Sequence, residues 1–183
     1  MDITGLILAG GKSSRMGTDK GLVLFGKQPL VSYSITLVQQ ICKNIYISTA
    51  NKDYEQFNHE LISDIIPDIG PIGGIYSALN KIDSNYFFVL SCDIPYALLT
   101  IAELLLKYIH DYEIVVPVWG NSKIEPLFGF YSKSILPALK NQIDNKNFKM
   151  IDLLKECKTF YLNVDSETEG TLTFKNINTP GDA

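Results

Sequence analysis

The chain has 183 residues, 46% of them hydrophobic and 20% charged. That is enough apolar content for one packed domain spanning residues 1–183 and too much for wholesale disorder. Sixteen Lys and Arg against twenty Asp and Glu leave a net charge of −4, with the lysines scattered. A protein that coats nucleic acid carries a basic surplus or stripe, so no nucleic-acid partner is expected. Cys42, Cys92 and Cys157 are far apart and form no C-x-x-C, which argues against a zinc ribbon or a disulfide framework and for a reducing compartment. No apolar run approaches the ~20 residues of a membrane span, and no basic leader precedes the first one, so a soluble cytoplasmic protein is expected.

In chain order, Ile3–Ala9 reads as a buried strand ending at Gly10-Gly11, and residues 10–28, rich in Gly, Ser and Lys, as a long loop. Pro29 opens a helix whose apolar face is Leu30, Tyr33, Leu37, Val38 and Ile41. Strands are predicted over Asn44–Thr49 and Leu61–Asp64, and a helix over Ile72–Leu79 after Gly70-Pro71. Tyr86–Cys92 carries the strongest strand signal, followed by a helix over Ala97–Ile109. Further strands fall at Glu113–Val118, Leu127–Tyr131, Thr159–Val164 and Leu172–Phe174, with a turn at Trp119-Gly120-Asn121 and helices over Lys133–Ile143 and Met150–Glu156. Strands that are apolar throughout and alternate with helices predict an α/β domain, a three-layer Rossmann-like fold with a mostly parallel central sheet. Ligands of such sheets sit beyond the carboxyl ends of the strands, which directs attention to the chain after Leu8 and to Asp93.

The loop from Leu8 to Lys20 reads L-A-G-G-K-S-S-R-M-G-T-D-K. Its glycines let backbone N–H groups approach an anion, and Lys12, Arg15 and Lys20 supply positive charge. Glycine and lysine alone would also describe a solvated surface loop. The two common phosphate loops fail on spacing. Position 6 is Leu where a Walker A loop needs Gly, and Gly10-Gly11 followed by Gly17 is not G-x-G-x-x-G.

What the loop resembles is the signature of sugar-nucleotide and cofactor nucleotidyltransferases, L-A-G-G-x-S-x-R-M-G-x-D-K, whose every fixed position is met. Within that superfamily it is most similar to the molybdenum cofactor guanylyltransferases. Later segments extend the resemblance to nearly the whole chain. Asp64 with Gly70-Pro71-Ile72-Gly73-Gly74-Ile75 is similar to the family's Asp followed by G-P-L-x-G. Cys92-Asp93-Ile94-Pro95 is similar to C-D-x-P, Glu125-Pro126-Leu127-Phe128-Gly129-Phe130-Tyr131 to [HE]-P-L-x-x-x-Y, and residues 174–182 to F-x-N-I-N-T-P-x-D, the last two implying segments that lie near the acceptor and help close the site.

The resemblance implies transfer of GMP from GTP to the phosphate of molybdenum-molybdopterin, with release of pyrophosphate. It implies that backbone N–H groups of Leu8, Ala9, Gly10 and Gly11 hold the nucleotide and that Arg15 and Lys20 bind the triphosphate. Asp93 is expected to bind Mg²⁺, the one expected cofactor, and Asp64 to contact base or ribose. Small residues behind Gly70-Pro71 are expected to admit a flat ring. Thr49 and Asn51 are weaker candidates for base contacts. Transient contact with molybdenum-insertion and molybdoenzyme-maturation proteins is a further expectation. Chemistry of this kind needs positioning and charge neutralisation rather than a nucleophile. The sequence agrees: His59 and His110 are its only histidines, and Cys92 reads as a packing residue. Relatives using CTP tend to carry L-A-A-G, so Gly10 favours guanine over a cytidylyltransferase. A non-catalytic nucleotide-binding module is the alternative of another class.

Overall fold

The computed structural model describes residues 2–9, 19–168 and 173–177. At its centre, β1 (Ile3–Leu8) is buried along its whole length and pairs in parallel with β4 (Asn44–Ser48) on one side and β6 (Tyr86–Ser91) on the other. Because alternate strand residues face opposite sides, apolar residues at nearly every position mean that both faces are covered. Ile3 and Ile7 join Val31 and Val38 of α1 (Leu30–Val38) and Ile101 and Leu105 of α3 (Leu99–Leu106). Leu6 and Leu8 face the other layer, made by α2 (Pro71–Lys81), α4 (Leu136–Asp144) and α5 (Met150–Glu156). In β6, Phe88 and Leu90 divide from Phe87 and Val89 in the same way. Gly5 marks how tightly α1 lies on β1: a Cβ there would collide with Val38 Cγ1.

The sheet is completed by β5 (Glu60–Ile62), β7 (Ile114–Trp119), β9 (Phe128–Ser132) and β10 (Thr159–Asn163), in the order β10-β7-β9-β6-β1-β4-β5. A short β8 (Lys123–Ile124) pairs with β7. Strand β9 runs antiparallel to both of its neighbours, and the main path is otherwise parallel. The three-layer α/β architecture with a mostly parallel sheet is therefore as expected.

Local differences have physical causes. The stretch read as loop through residue 28 contains a 3₁₀ turn at Lys20–Leu22 and a hairpin of β2 (Leu24–Phe25) and β3 (Gln28–Pro29), turned by Gly26 at φ +63°. Pro29 does not open α1 from within. It lies extended in β3, immediately before the first helical residue. The predicted strand at Leu172–Phe174 does not form, since Thr173-Phe174 make a turn and Leu172 lies outside the described residues. Phe174 instead packs its ring 5.5 Å from that of Trp119 and 5.6 Å from that of Phe128. The apolar signal there was real, and aromatic packing on the end of the sheet satisfied it.

Candidate active site

Asp93 lies two residues past the end of β6, beside the end of β1, where Cys92 N–H donates to the carbonyl of Leu8 at 3.2 Å. Its carboxylate accepts from the Lys20 ammonium at 2.8 Å through Oδ2 and from the Ser91 hydroxyl at 2.6 Å through Oδ1. The Lys20 and Asp93 side chains are only 19% and 20% exposed, so the pair is largely withdrawn from water without being sealed from it. The two residues singled out from separate motifs, 73 positions apart, thus form one ion pair at the carboxyl ends of adjacent central strands. Cys92 is buried beneath them. Burial first, and the Asp93 charge second, push its thiol up to about 12, which leaves it inert as a nucleophile.

What aims Lys20 is a residue to which the sequence reading gave no role. Asp19 caps the 3₁₀ turn, its Oδ1 accepting from Gly21 N–H at 3.2 Å and from the Tyr54 hydroxyl at 2.5 Å. Its Oδ2 accepts from Asn51 Nδ2 at 3.2 Å. Tyr54 is fully buried, and burial followed by its bond to Asp19 raises its hydroxyl far above the ordinary value. Asn51 also caps the next turn, accepting from Asp53 N–H at 2.9 Å, while Thr49 Oγ1 accepts from Asn51 N–H at 3.1 Å. Of these two residues, only Asn51 meets Asp19 directly, and the Thr49 hydroxyl meets Asn51 N–H. The available signal was the D-K dipeptide, a carboxylate directly before the lysine; its anchor, Tyr54, announces itself in no motif.

On the other side of β1, Leu8 is buried, and its carbonyl is taken by Cys92. Ala9 N–H, expected to meet the nucleotide, donates instead to the Ser48 carbonyl at 3.1 Å, because the sheet ladder continues one residue beyond the strand. Gly10, Gly11 and Arg15, and with them Lys12, lie outside the described residues. Asp64 follows β5 and accepts from Ser48 Oγ at 3.3 Å. Burial raises its carboxyl above the usual range, against the opposing effects of Ser48 and Lys81. At the Gly-Pro junction a Cβ on Gly70 would meet nothing within 4 Å, whereas the two glycines inside α2 lie close against their neighbours. A Cβ at Gly74 would stand 2.6 Å from Ser48 Oγ and 3.0 Å from Leu8 Cδ2, and one at Gly73 would stand 3.1 Å from Asp64 Oδ2. Helix α2 has glycines there so that it can lie against β1, β4 and Asp64.

Beyond β6, the corner between β8 and β9 carries Glu125. Burial, and secondarily the charge of Asp93, push its carboxyl from 4.5 up to about 7. The segment 173–177 passes the same edge, where Ile177 N–H donates to the Asp93 carbonyl at 2.9 Å. No group of three or more His, Cys, Asp or Glu side chains that could hold a metal occurs among the described residues. A self-contained metal cage is therefore not what these residues offer. A carboxylate with a lysine partner at an open strand end fits a cation that takes one protein oxygen and completes its shell with phosphates.

A mostly parallel sheet with a carboxylate beyond the end of a central strand, paired with the lysine that closes a glycine-rich sequence motif, defines a nucleotidyltransferase-type site. Comparison agrees: residues 5–158 match the family model of the MobA-like NTP transferase domain. The chain belongs to that family. It is 42% identical over 179 residues to a probable molybdenum cofactor guanylyltransferase of Flavobacterium johnsoniae, covering 96% of this chain and 92% of that protein. A protein of the same description from Carboxydothermus hydrogenoformans is 31% identical over 184 residues, covering 99% and 93%. The crystal structure of molybdopterin-guanine dinucleotide biosynthesis protein A from Archaeoglobus fulgidus shares the fold, with a TM-score of 0.79 at 23% identity over 98% of this chain and 94% of that one. No helix among the described residues is long and apolar enough to cross a membrane.

Proposed function

We propose that this chain is a molybdenum cofactor guanylyltransferase. It moves GMP from GTP to the phosphate of molybdenum-molybdopterin, with an acceptor phosphate oxygen bonding to the α-phosphorus as the bond to pyrophosphate breaks. The observation that carries the reading is the Lys20–Asp93 pair at 2.8 Å, whose lysine closes a segment that matches the guanylyltransferase signature in sequence from Leu8 to Lys20. Lys20, with Arg15, receives the triphosphate, and the backbone of Gly10 and Gly11 approaches the nucleotide. Asp64, half-buried and backed by Ser48, is the acceptor offered to base or ribose N–H or O–H groups.

Asp93 holds Mg²⁺ together with substrate phosphates. The ion supplies neutralisation of charge on the phosphate oxygens. The protein's own part is orientation: Ser91 and Lys20 fix both carboxylate oxygens, and Asp19 with Tyr54 fixes the turn that bears Lys20. Three free cysteines, with the thiols of Cys42 and Cys92 buried and shifted upward, suit a cytosolic setting, in which the product passes to molybdoenzyme-maturation proteins.

The test is thermal stability against GTP, CTP, UTP and ATP, each with and without Mg²⁺, followed by pyrophosphate release with the acceptor present. A ligand that binds only the native state raises Tm by mass action. Selective, Mg²⁺-enhanced stabilisation by GTP and GTP-dependent pyrophosphate release are expected. A preference for CTP would make the protein a cytidylyltransferase. No shift with any nucleotide would remove the enzymatic reading.

A further inference from the structure

The Lys20–Asp93 pair sets two of the proposed duties of the site against each other. A carboxylate that is to hold a divalent cation must offer it an oxygen, and both oxygens of Asp93 are already engaged. Oδ1 accepts from the Ser91 hydroxyl at 2.6 Å and Oδ2 from the Lys20 ammonium at 2.8 Å. Both side chains of the pair are largely withdrawn from water, so solvent screens little of what an added charge would feel there. A divalent cation on Asp93 would be a second positive charge beside the ammonium on the same carboxylate. Lys20 and the metal therefore exclude one another at Asp93. We infer that Lys20 is a resident counter-ion that closes Asp93 to divalent cations in the free protein, and that the metal is admitted only when the phosphates of a nucleotide draw the ammonium away. The inference rests on the proposed roles of Lys20 and Asp93; what it adds is that metal binding is conditional on the nucleotide.

One member of the pair is built to stay and the other to move. Around Asp93 the chain is held on both sides: Cys92 N–H donates to the Leu8 carbonyl at 3.2 Å, and the Asp93 carbonyl accepts from Ile177 N–H at 2.9 Å. Ser91, whose hydroxyl holds Oδ1, is itself tied down, its carbonyl accepting from the Ser34 hydroxyl at 3.3 Å. For Lys20 it is the backbone that is fixed. Its carbonyl accepts from Val23 N–H at 3.2 Å, and the preceding Asp19 is anchored by Gly21 N–H, the Tyr54 hydroxyl and Asn51 Nδ2. From that turn the ammonium hangs on a flexible stem, a point charge that trades one oxygen partner for another without needing a set geometry. A triphosphate carries more negative charge than one carboxylate and so draws it off Asp93. Asp19 gives the metal no other way in, because both of its oxygens accept from the groups just named. Among the described residues no group of three or more His, Cys, Asp or Glu side chains could hold a metal either. A cation with one protein oxygen needs phosphates to complete its shell, so in the protein alone an ammonium on that oxygen is enough to keep it out. When pyrophosphate departs, Lys20 returns to Asp93, and neither charge is left stranded.

The experiment titrates the protein with Mn²⁺ and follows the electron paramagnetic resonance signal of the hydrated ion, which is lost on binding. Without nucleotide, wild type is expected to take up Mn²⁺ no better than Asp93→Asn does. Lys20→Met is expected to bind it about 10- to 100-fold more tightly than wild type, the ordinary span of coupling between two ligands, and the gain should vanish when Asp93→Asn is added. Lys20→Arg keeps a positive charge on Asp93 and should stay closed like wild type. Lys20→Gln is neutral but still able to donate to Asp93; it should show the same gain, and it carries the test if Lys20→Met does not fold. Titration with GTP in the presence of a chelator should move the opposite way, with Lys20→Met binding more weakly than wild type. Uptake of Mn²⁺ by free wild type that Asp93→Asn abolishes would overturn the inference, because Asp93 would already be open. Neutral Lys20 variants that gain no Mn²⁺ affinity would overturn it too, by showing that the ammonium excludes nothing. Failure of the underlying reading looks different: Asp93→Asn would bind the Mn²⁺ complex of GTP as tightly as wild type, which would take the metal away from Asp93 and the inference with it.

Discussion

The Lys20–Asp93 pair can be tested as an energetic unit with a double-mutant cycle of Lys20→Met, Asp93→Asn and both together. At the observed 2.8 Å, opposite unit charges in an effective dielectric near 20 attract by about 6 kcal/mol before desolvation is charged against them. Side chains 19% and 20% exposed have lost much of their hydration, so most of that attraction is offset. A net coupling of about 2 kcal/mol is the expectation, above the ~0–1 of exposed pairs and below the ~3–5 lost when a fully buried charge is stranded. The single mutants differ in a way the geometry dictates. The amide introduced by Asp93→Asn can turn its carbonyl to Lys20 and its nitrogen to the Ser91 hydroxyl, so that substitution strands nothing. Lys20→Met leaves the Asp93 carboxylate with the Ser91 hydroxyl in place of an ammonium. Asp93→Asn is therefore the milder change in stability, although it should abolish transfer. For a chain of this size about 1 kcal/mol moves Tm by about 2–4 °C, so the double mutant should melt about 4–8 °C above the value that additivity predicts. Tm by calorimetry and pyrophosphate release read the two effects separately. Additivity within about 0.5 kcal/mol would show that the pair carries no coupling. Undiminished Mg²⁺-dependent turnover in Asp93→Asn would refute the assignment of Asp93.

Tyr54→Phe removes one donor from Asp19 while leaving the ring in place. It should cost about 1–3 kcal/mol, the range for a hydrogen bond to a charged group, and should raise the KM for the nucleotide more than it lowers kcat, since it loosens the turn that aims Lys20. An unchanged Tm and KM would show that the Asp19 anchor is incidental. The pH dependence follows from Glu125, which holds its proton more tightly folded than unfolded between its ordinary 4.5 and about 7. The folded state binds more protons across that window, so stability falls as pH rises through it, by at most about 3 kcal/mol. Glu125→Gln should therefore match wild type below pH 4.5 and melt higher above pH 7. A difference in Tm that is constant with pH would show that Glu125 does not titrate in this window.

The central sheet was legible because burial on both faces writes itself as unbroken apolar runs. Ile3–Leu8 and Tyr86–Ser91 need no tertiary knowledge to be read as interior strands. Asp93 was legible because a carboxylate at the end of such a strand has nothing to do in the core, and Lys20 because it closes the glycine-loop motif. What could not be read is whatever depends on two distant segments sharing one contact. Tyr54 looks like any aromatic in a polar stretch until its hydroxyl is found on Asp19. Gly73 and Gly74 give no sign in sequence that Ser48, Leu8 and Asp64 lie against them. Phe174 carries an apolar signal that a strand and an aromatic cap satisfy equally, and only the position of Trp119 decides between them.

The same distinction explains how the site is divided. The groups proposed to meet phosphate, Lys20 and Asp93, satisfy one another in the absence of ligand, so the free protein keeps a cation and an anion in the crevice without stranding either. Among the described residues, the two carboxylates that flank them form no ion pair. Asp64 has a neutral hydroxyl at 3.3 Å, Glu125 has an indole N–H that closes no good bond, and burial raises both toward the protonated form. Charge that is paired in advance suits a triphosphate, which can exchange one set of ion pairs for another. Acceptors left wanting donors suit heterocycles, which bring N–H groups but no charge. On this reasoning the phosphate half of the site governs turnover and Asp64 bears on which ring is admitted. Exchanging Asp64 should therefore alter the choice of substrate before it alters the chemistry.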